Sequence, residues 1–346
     1  MGGIGSSRET ATDSNIPFAK ICNFRDLGDI AVGEGRRTKR GVIYRSARTT
    51  ACSVGDVDVL TKKFGIQTIV DLRGPPRHGK LKEATEDGLD ALFGAYPPQI
   101  TIVGAEEDGT KNQSRSMQQL AYVDKRVKAA IKEHIGILGT AVLFLVYFSL
   151  KAMSIMKIIA KPLPPLHHAV VWAVARCKFF ALTLAIEHWG GFGTLYYLIA
   201  KHNSKAVKRC LDICANVHRQ PVLFHCASGK DRTGITAALI LYAAGVSRKE
   251  IIHEYSLSHS WALEYYHIRH IIGVDEDECH YWLDWIASSK SADSKSGAAQ
   301  ALGAPKVSIK NFFELIDSDF GSINAYLTWI GCDDDWRQKF RRNFTQ

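Results

Sequence analysis

PVLFHCASGKDRTGITAALILYAAG, residues 221–245, decides how the chain is read. It opens on an apolar run, Val222, Leu223 and Phe224, and closes on a helical pattern from Thr233 to Ala244 ended by Gly245. Cys226 stands six positions ahead of Arg232, with Gly229, Lys230 and Asp231 between them. A strand over Pro221–His225, a seven-residue loop and a helix from about Thr233 would bring several backbone N–H groups and the positive end of a helix dipole to one hollow. Such a nest suits a dianionic phosphate. Arg232 can meet two phosphate oxygens at once, which lysine cannot. The same field favours the thiolate of Cys226, the nucleophilic form of the side chain. Attack on phosphorus would give a phosphocysteine that water releases, a reaction of positioning and charge stabilisation that calls for no metal or other cofactor. A Cys-x5-Arg spacing alone carries little weight in a chain with 8 cysteines; the strand, loop and helix around it carry the argument.

The leaving oxygen needs a proton. Between Asp124 and Asp212 there is no aspartate, and the acids in that stretch are Glu133 and Glu187. An upstream aspartate loop is therefore missing, and Asp231, beside Arg232, is the economical acid. Its alternative role is structural, as a partner of Arg25 or Arg45 or as a cap of the following helix. Ala227, Ser228, Gly229, Lys230 and Thr233 complete the set expected to bind the phosphate. Lys230 reads either as a charge beside the pocket that favours a second phosphate or as a solvated loop lysine.

Outward from this loop the pattern repeats. Val42–Ser46 reads as a strand, and Ser53 with Asp56 makes a capping box for a helix through Val57, Leu60 and Phe64 to a stop at Gly65. GIQTIVDLR, residues 65–73, contains a short buried strand. Ala206–Val217 reads as a helix. The class is α/β, a mostly parallel central sheet flanked by helices, with ligands expected where loops leave the carboxyl ends of the strands. Arg25, Asp26, Arg45, Asp71 and Arg73 fall near strand ends, as pocket rim or as ion pairs that fix loops. Arg36, Arg37, Lys39 and Arg40 read as a solvated turn or a face for anionic lipid.

The 346 residues carry a net charge of +9, which points to a negatively charged partner; scattered basic residues without a binding motif speak against nucleic acid. The start, MGGIGSSRETATDSN, lacks the apolar core of a secretory signal, so an intracellular, cytoplasmic location with reduced thiols is expected. Met1, Gly2 and Ser6 fit the pattern for myristoylation of Gly2, and equally a flexible polar tail. Ile135–Leu150 is uncharged and apolar on every face. A second apolar stretch runs from Ala169 to Ala200, so residues 135–200 are expected to contact a membrane, with a buried hairpin and a lid as the competing readings. Cys210 and Cys214 lack companions that would complete a metal site. Cys22 and Cys52 are candidate resolving thiols, and His167 and His168 read as loop residues.

His225–Gly234 resembles the phosphate loop of the protein tyrosine phosphatase superfamily, and Gly229-Lys230-Asp231-Arg232 is similar to its bacterial-type tyrosine and lipid phosphatase branch. Asn23-Phe24-Arg25-Asp26-Leu27-Gly28, Tyr44-Arg45-Ser46-Ala47, Asp71-Leu72-Arg73 and Tyr326-Leu327 after Phe320-Gly321-Ser322 resemble further landmarks of that branch, in order. The resemblance implies a tyrosine-phosphatase-like fold with Cys226 as nucleophile, Arg232 as phosphate holder and Asp231 as acid. It also implies phosphotyrosine, sometimes phosphoserine or phosphothreonine, or phosphoinositide substrates. The organisation expected is a disordered tail over 1–15, a phosphatase domain over 16–286 with an apolar helical insertion at about 130–200, a linker over 287–305, and a helical segment over 306–346 that packs on the domain. Two rivals stand beside this reading. One is a catalytically silent module that docks phosphorylated partners at a membrane, and the other is sulfur or arsenate chemistry on the same cysteine loop.

Overall fold

A computed structural model describes residues 18, 21–49, 53–72, 99–102, 169–174, 176, 190–262 and 303–346. The Gly2 signal, Cys52, Arg73, the apolar run 135–150, and His167 with His168 lie outside the described residues.

The stretch before Cys226 supplies the central strand of the sheet. Strand β7 (Val222–His225) lies between β4 (Ile43–Ser46) and β5 (Thr68–Asp71), parallel to both. The edges are antiparallel: β1 (Arg25–Asp26) pairs with β4, and β6 (Gln99–Ile102) with β5, giving the order β1-β4-β7-β5-β6. A small hairpin of β2 (Ala31–Gly33) and β3 (Arg36–Arg37) stands apart.

Because side chains alternate along a strand, the central strands feed two cores. Ile43, Val70, Val222 and Phe224 join the main one, while Tyr44 and Leu223, with Ile69 packed alongside, join a smaller aromatic one with Phe24 and Phe64. Such burial on both faces explains the unbroken apolar run before Cys226. The helix α1 (Val54–Asp58) starts on the reciprocal Ser53–Asp56 capping box, continues as a π-helical turn over Val59–Lys63, and stops at Gly65 with φ near 61°.

On the main-core side, α2 (Gly191–His202) and α3 (Ser204–Ala215) lead into β7. Helix α4 (Asp231–Ala244) leaves β7 and is buried along nearly its whole length. It ends at Gly245 in the left-handed region, where the amide of Val246 reaches back to the Leu241 carbonyl at 3.0 Å. α5 (Arg248–Ser256) and α6 (Ser258–Ala262) follow. The chain returns through α7 (Lys306–Phe320), α8 (Ile323–Trp329) and α9 (Asp334–Phe344). Helix α7 lies close against α2, where a Cβ on Gly193 would stand 2.4 Å from that of Asn311. Gly303, Ala304 and Pro305, which composition places in a linker, are buried.

The basic run lies on an exposed turn and pairs within the chain. Arg37 and Arg40 share Asp29, Lys39 donates to the Asn343 carbonyl at 2.8 Å, and Arg37 and Gln346 exchange backbone hydrogen bonds. Among the described residues, no helix is long and apolar enough to cross a membrane.

Candidate active site

The helix takes over earlier than the sequence pattern indicates. Asp231 already lies in the first turn of α4, so the loop between β7 and α4 is residues 226–230. The turn closes through the Gly234 amide, which donates to the Lys230 carbonyl at 2.7 Å. An acidic residue in a first turn is favoured by the helix dipole, which is why the helix can begin on Asp231.

The loop's carbonyls are held from outside. The Arg48 amide donates to Ala227 O at 3.0 Å, Asn23 Nδ2 donates to Ser228 O at 3.1 Å and to Gly229 O at 3.0 Å, and Arg45 Nη2 donates to Gly229 O at 2.6 Å. In a planar trans peptide the N–H points opposite the C=O. The amides of Ser228, Gly229 and Lys230 therefore face the other way, into the hollow, where the uncapped first turn of α4 adds its own. Successive amides turned to one side in this way can serve as a nest of donors for an anion.

Gly229 makes that arrangement attainable. Its φ is near 67°, and a Cβ there would stand 2.5 Å from Ser46 O and 2.6 Å from the Ala47 amide nitrogen. Gly229→Ala is expected to push the loop off β4 and lower turnover by on the order of 10²-fold, the cost of misplacing reacting groups by about 1 Å. Steady-state kinetics on an aryl phosphate would check this, and wild-type kcat in the variant would contradict it.

Beneath the loop, Arg25 and Arg45 take the ion-pair alternative expected for them, in a buried cluster whose anion, Glu254, the sequence pattern leaves unassigned. Glu254 of α5 meets Arg25 Nε and Arg45 Nη1, each at 2.7 Å. Arg25 also bonds Asn23 Oδ1 and, at 2.9 Å, Ser258 Oγ. Burial alone would raise the Glu254 carboxyl, but Arg25 and Arg45 outweigh it and hold the group below its ordinary value. Burial and the neighbouring Arg45 bring Arg25 down to about 10, so it stays charged at neutral pH. Two cations on one anion leave net positive charge under the nest. Arg25 and Arg45 thus pair with Glu254, not with Asp231 as the structural alternative for that residue supposes. Asp26 instead accepts from the amides of Gly28 and Gly41 at 2.8 and 2.7 Å.

Cys226, 2% exposed, follows the carboxyl end of β7 directly. Ala227, Asp231 and Arg232 are partly exposed, while Ser228, Gly229, Lys230 and Thr233 are buried. Arg232 Nη1 reaches the Leu72 carbonyl at 3.4 Å, past the end of β5. The Thr233 hydroxyl has no hydrogen-bond partner among the described residues. Lys230 is neither solvated nor on the rim. Its Nζ donates to Gly303 O at 3.0 Å, lies 4.8 Å from the centroid of the Phe192 ring and stands 3.5 Å from Asp231 Oδ1. Burial pushes its ammonium below the ordinary value against the pull of Asp231. His259 Nδ1 accepts from the Ala304 amide at 3.1 Å, so residues 303–304 are fastened at two points beside the loop. Asp231 Oδ1 accepts from the Tyr196 hydroxyl at 2.5 Å. Among the described residues no group of three or more His, Cys, Asp or Glu is placed to hold a metal ion.

Comparison with known proteins gives the loop its context. The tyrosine phosphatase family profile matches residues 16–136 and 183–346, on both sides of the most apolar part of the chain. A tyrosine-protein phosphatase of Nostoc commune is 42% identical over 66 residues, which is 19% of this chain and only 22% of that protein's own length. A Cupriavidus necator protein with a provisional description as a tyrosine-protein phosphatase is 23% identical over 318 residues, 90% of this chain and 82% of that protein. With the profile spanning most of the sequence, the chain belongs to the tyrosine phosphatase family, whose members are phosphoric monoester hydrolases.

Proposed function

We propose that the protein hydrolyses phosphotyrosine, with phosphoserine or phosphothreonine as further protein substrates, or phosphoinositide monoesters, through a phosphocysteine at Cys226. The observation that carries this is the outward fastening of the Ala227, Ser228 and Gly229 carbonyls, which turns successive amides toward one hollow beside a buried thiol. The phosphate's equatorial oxygens would take those amides and the Arg232 guanidinium. The Cys226 sulfur then displaces the substrate oxygen from phosphorus, forming an S–P bond as the P–O bond breaks. Asp231 gives its proton to the departing oxygen and, now a carboxylate, takes one back from the water that next attacks phosphorus, so that the S–P bond breaks and phosphate, the cysteine thiolate and the protonated acid are returned. The positive charge under the loop stabilises the phosphoryl group's charge throughout.

The apolar sequence at 135–200 and the myristoylation pattern at Gly2 support a membrane as the place of action, which favours lipid substrates. Partitioning after a carbonate wash tests that part, and full release into the wash would remove it. The catalytic reading is tested by acid-quenching the enzyme during turnover and mapping the adduct by mass spectrometry. A phosphoryl group is expected on Cys226, and its absence under conditions of steady turnover would refute the mechanism. A panel of phosphopeptides and phosphoinositides, read as kcat/KM, separates the two substrate classes.

A further inference from the structure

The assignment of Asp231 as the proton donor leaves open what aims its carboxyl group. Three helices meet there. Tyr196 on α2 gives its hydroxyl to Asp231 Oδ1 at 2.5 Å, and its oxygen lies 2.7 Å from the hydroxyl of Tyr255 on α5. Each phenol has one proton, and Oδ1 of a carboxyl group that carries its proton on Oδ2 can only accept. The Tyr196 proton is therefore committed to Asp231, and Tyr255 must donate to Tyr196. Both rings are fully buried, and Phe192 meets the Tyr196 ring edge-on at 5.9 Å. The Tyr255 ring is fixed against α4 itself, since a Cβ on Gly234 would stand 2.9 Å from it. Burial and the neighbouring Asp231 raise both phenols above their ordinary range, so the donors remain protonated.

The contacts fall on one oxygen. Oδ1 takes the Tyr196 hydroxyl and faces the Lys230 ammonium at 3.5 Å, whereas Oδ2 has no partner among the described residues. We infer that Tyr196, backed by Tyr255, is a positioning residue for proton transfer: it pins Oδ1 and leaves Oδ2 as the oxygen that carries the proton to the leaving group. A hydroxyl supplied at the end of the second apolar stretch is thereby part of the acid's geometry. This rests on Asp231 being the acid.

The test is leaving-group dependence. Tyr196→Phe keeps the ring and deletes the hydroxyl. Kcat for phenyl phosphate, a poor leaving group, is expected to fall roughly tenfold, a fraction of the 10²–10⁴ that a general acid supplies. An activated ester such as 2,4-dinitrophenyl phosphate, whose leaving group needs little protonation, is expected to change less than about twofold, with KM unaltered. Combining Tyr196→Phe with Asp231→Asn should cost no more than Asp231→Asn alone. Equal losses on both esters, or full additivity in the double variant, would overturn the inference. If Tyr196→Phe fails to fold, Tyr255→Phe carries the test, with a smaller loss in the same leaving-group order expected and a uniform loss contradicting it. Should Asp231→Asn itself show no leaving-group dependence, the assignment of the acid fails; a dependence in Asp231→Asn but not in the tyrosine variants sinks only the role of Tyr196.

Discussion

Cys226→Ser is expected to lower turnover of p-nitrophenyl phosphate by on the order of 10⁴-fold or more while leaving the fold and substrate binding intact. The substitution exchanges one small side chain for another at a 2% exposed position, and the loop's fastening uses backbone carbonyls it does not touch. What changes is the nucleophile. A serine hydroxyl attacks phosphorus at neutral pH only with a base to take its proton. The neighbouring imidazole is already engaged, with His225 Nδ1 3.1 Å from the Cys226 carbonyl and Nε2 3.2 Å from Thr49 Oγ1. Stopped turnover with retained binding would make the variant a substrate trap, checked by kinetics together with capture of phosphorylated ligand. Turnover by the serine variant within about tenfold of the parent would contradict nucleophilic catalysis at this position.

The parts of the site that could be read in the sequence are those fixed by neighbours along the chain. The run Val222–Phe224 and the stop at Gly245 each follow from local backbone requirements, and β7 and the end of α4 lie where those residues indicate, whereas α4 starts at Asp231, ahead of the expected Thr233, and shortens the loop to residues 226–230. The Ser53–Asp56 capping box is local in the same sense. What the pattern does not reveal depends on tertiary burial. Glu254 sits in the polar stretch RKEIIHEYS, where nothing distinguishes it from Glu250 until α5 is laid beneath the loop. Tyr196 looks like one more aromatic of an apolar helix, although its hydroxyl end is the part that reaches the site. Lys230 invites a reading as a phosphate ligand because lysines are rarely buried, yet the Gly303 carbonyl and the Phe192 ring supply it with an interior site. That carbonyl comes from a Ser-, Lys-, Gly- and Ala-rich segment whose composition gives no sign of packing.

Glu254→Ala is expected to destabilise the protein by about 3–5 kcal/mol, the cost of leaving buried charge unpaired. Arg45 is 0% exposed, and its Nε already lacks a partner, so with Glu254 gone its guanidinium keeps only Gly229 O and a long contact to Ser258. Arg25 would keep Asn23, Ser258 and the Glu254 backbone but lose its carboxylate. Two guanidiniums would then repel each other under a loop whose carbonyl they help to hold, so the loop loosens along with the core. The urea midpoint should fall with little change in slope, and Glu254→Gln, which keeps an acceptor but not the charge, should fall between parent and alanine. The pH dependence has a definite sign. Because the folded Glu254 carboxyl is held below the unfolded value of 4.5, its stabilising share is complete above that value and is lost as pH falls through the folded one. The parent should therefore shed this share on acidification, whereas the alanine variant has none left to shed, and the stability gap between them should narrow as the pH falls from 4.5 through the folded value. A gap that stays constant from neutral pH into that range would show that the charge of Glu254 is not what holds Arg25 and Arg45, and with them the loop after Cys226.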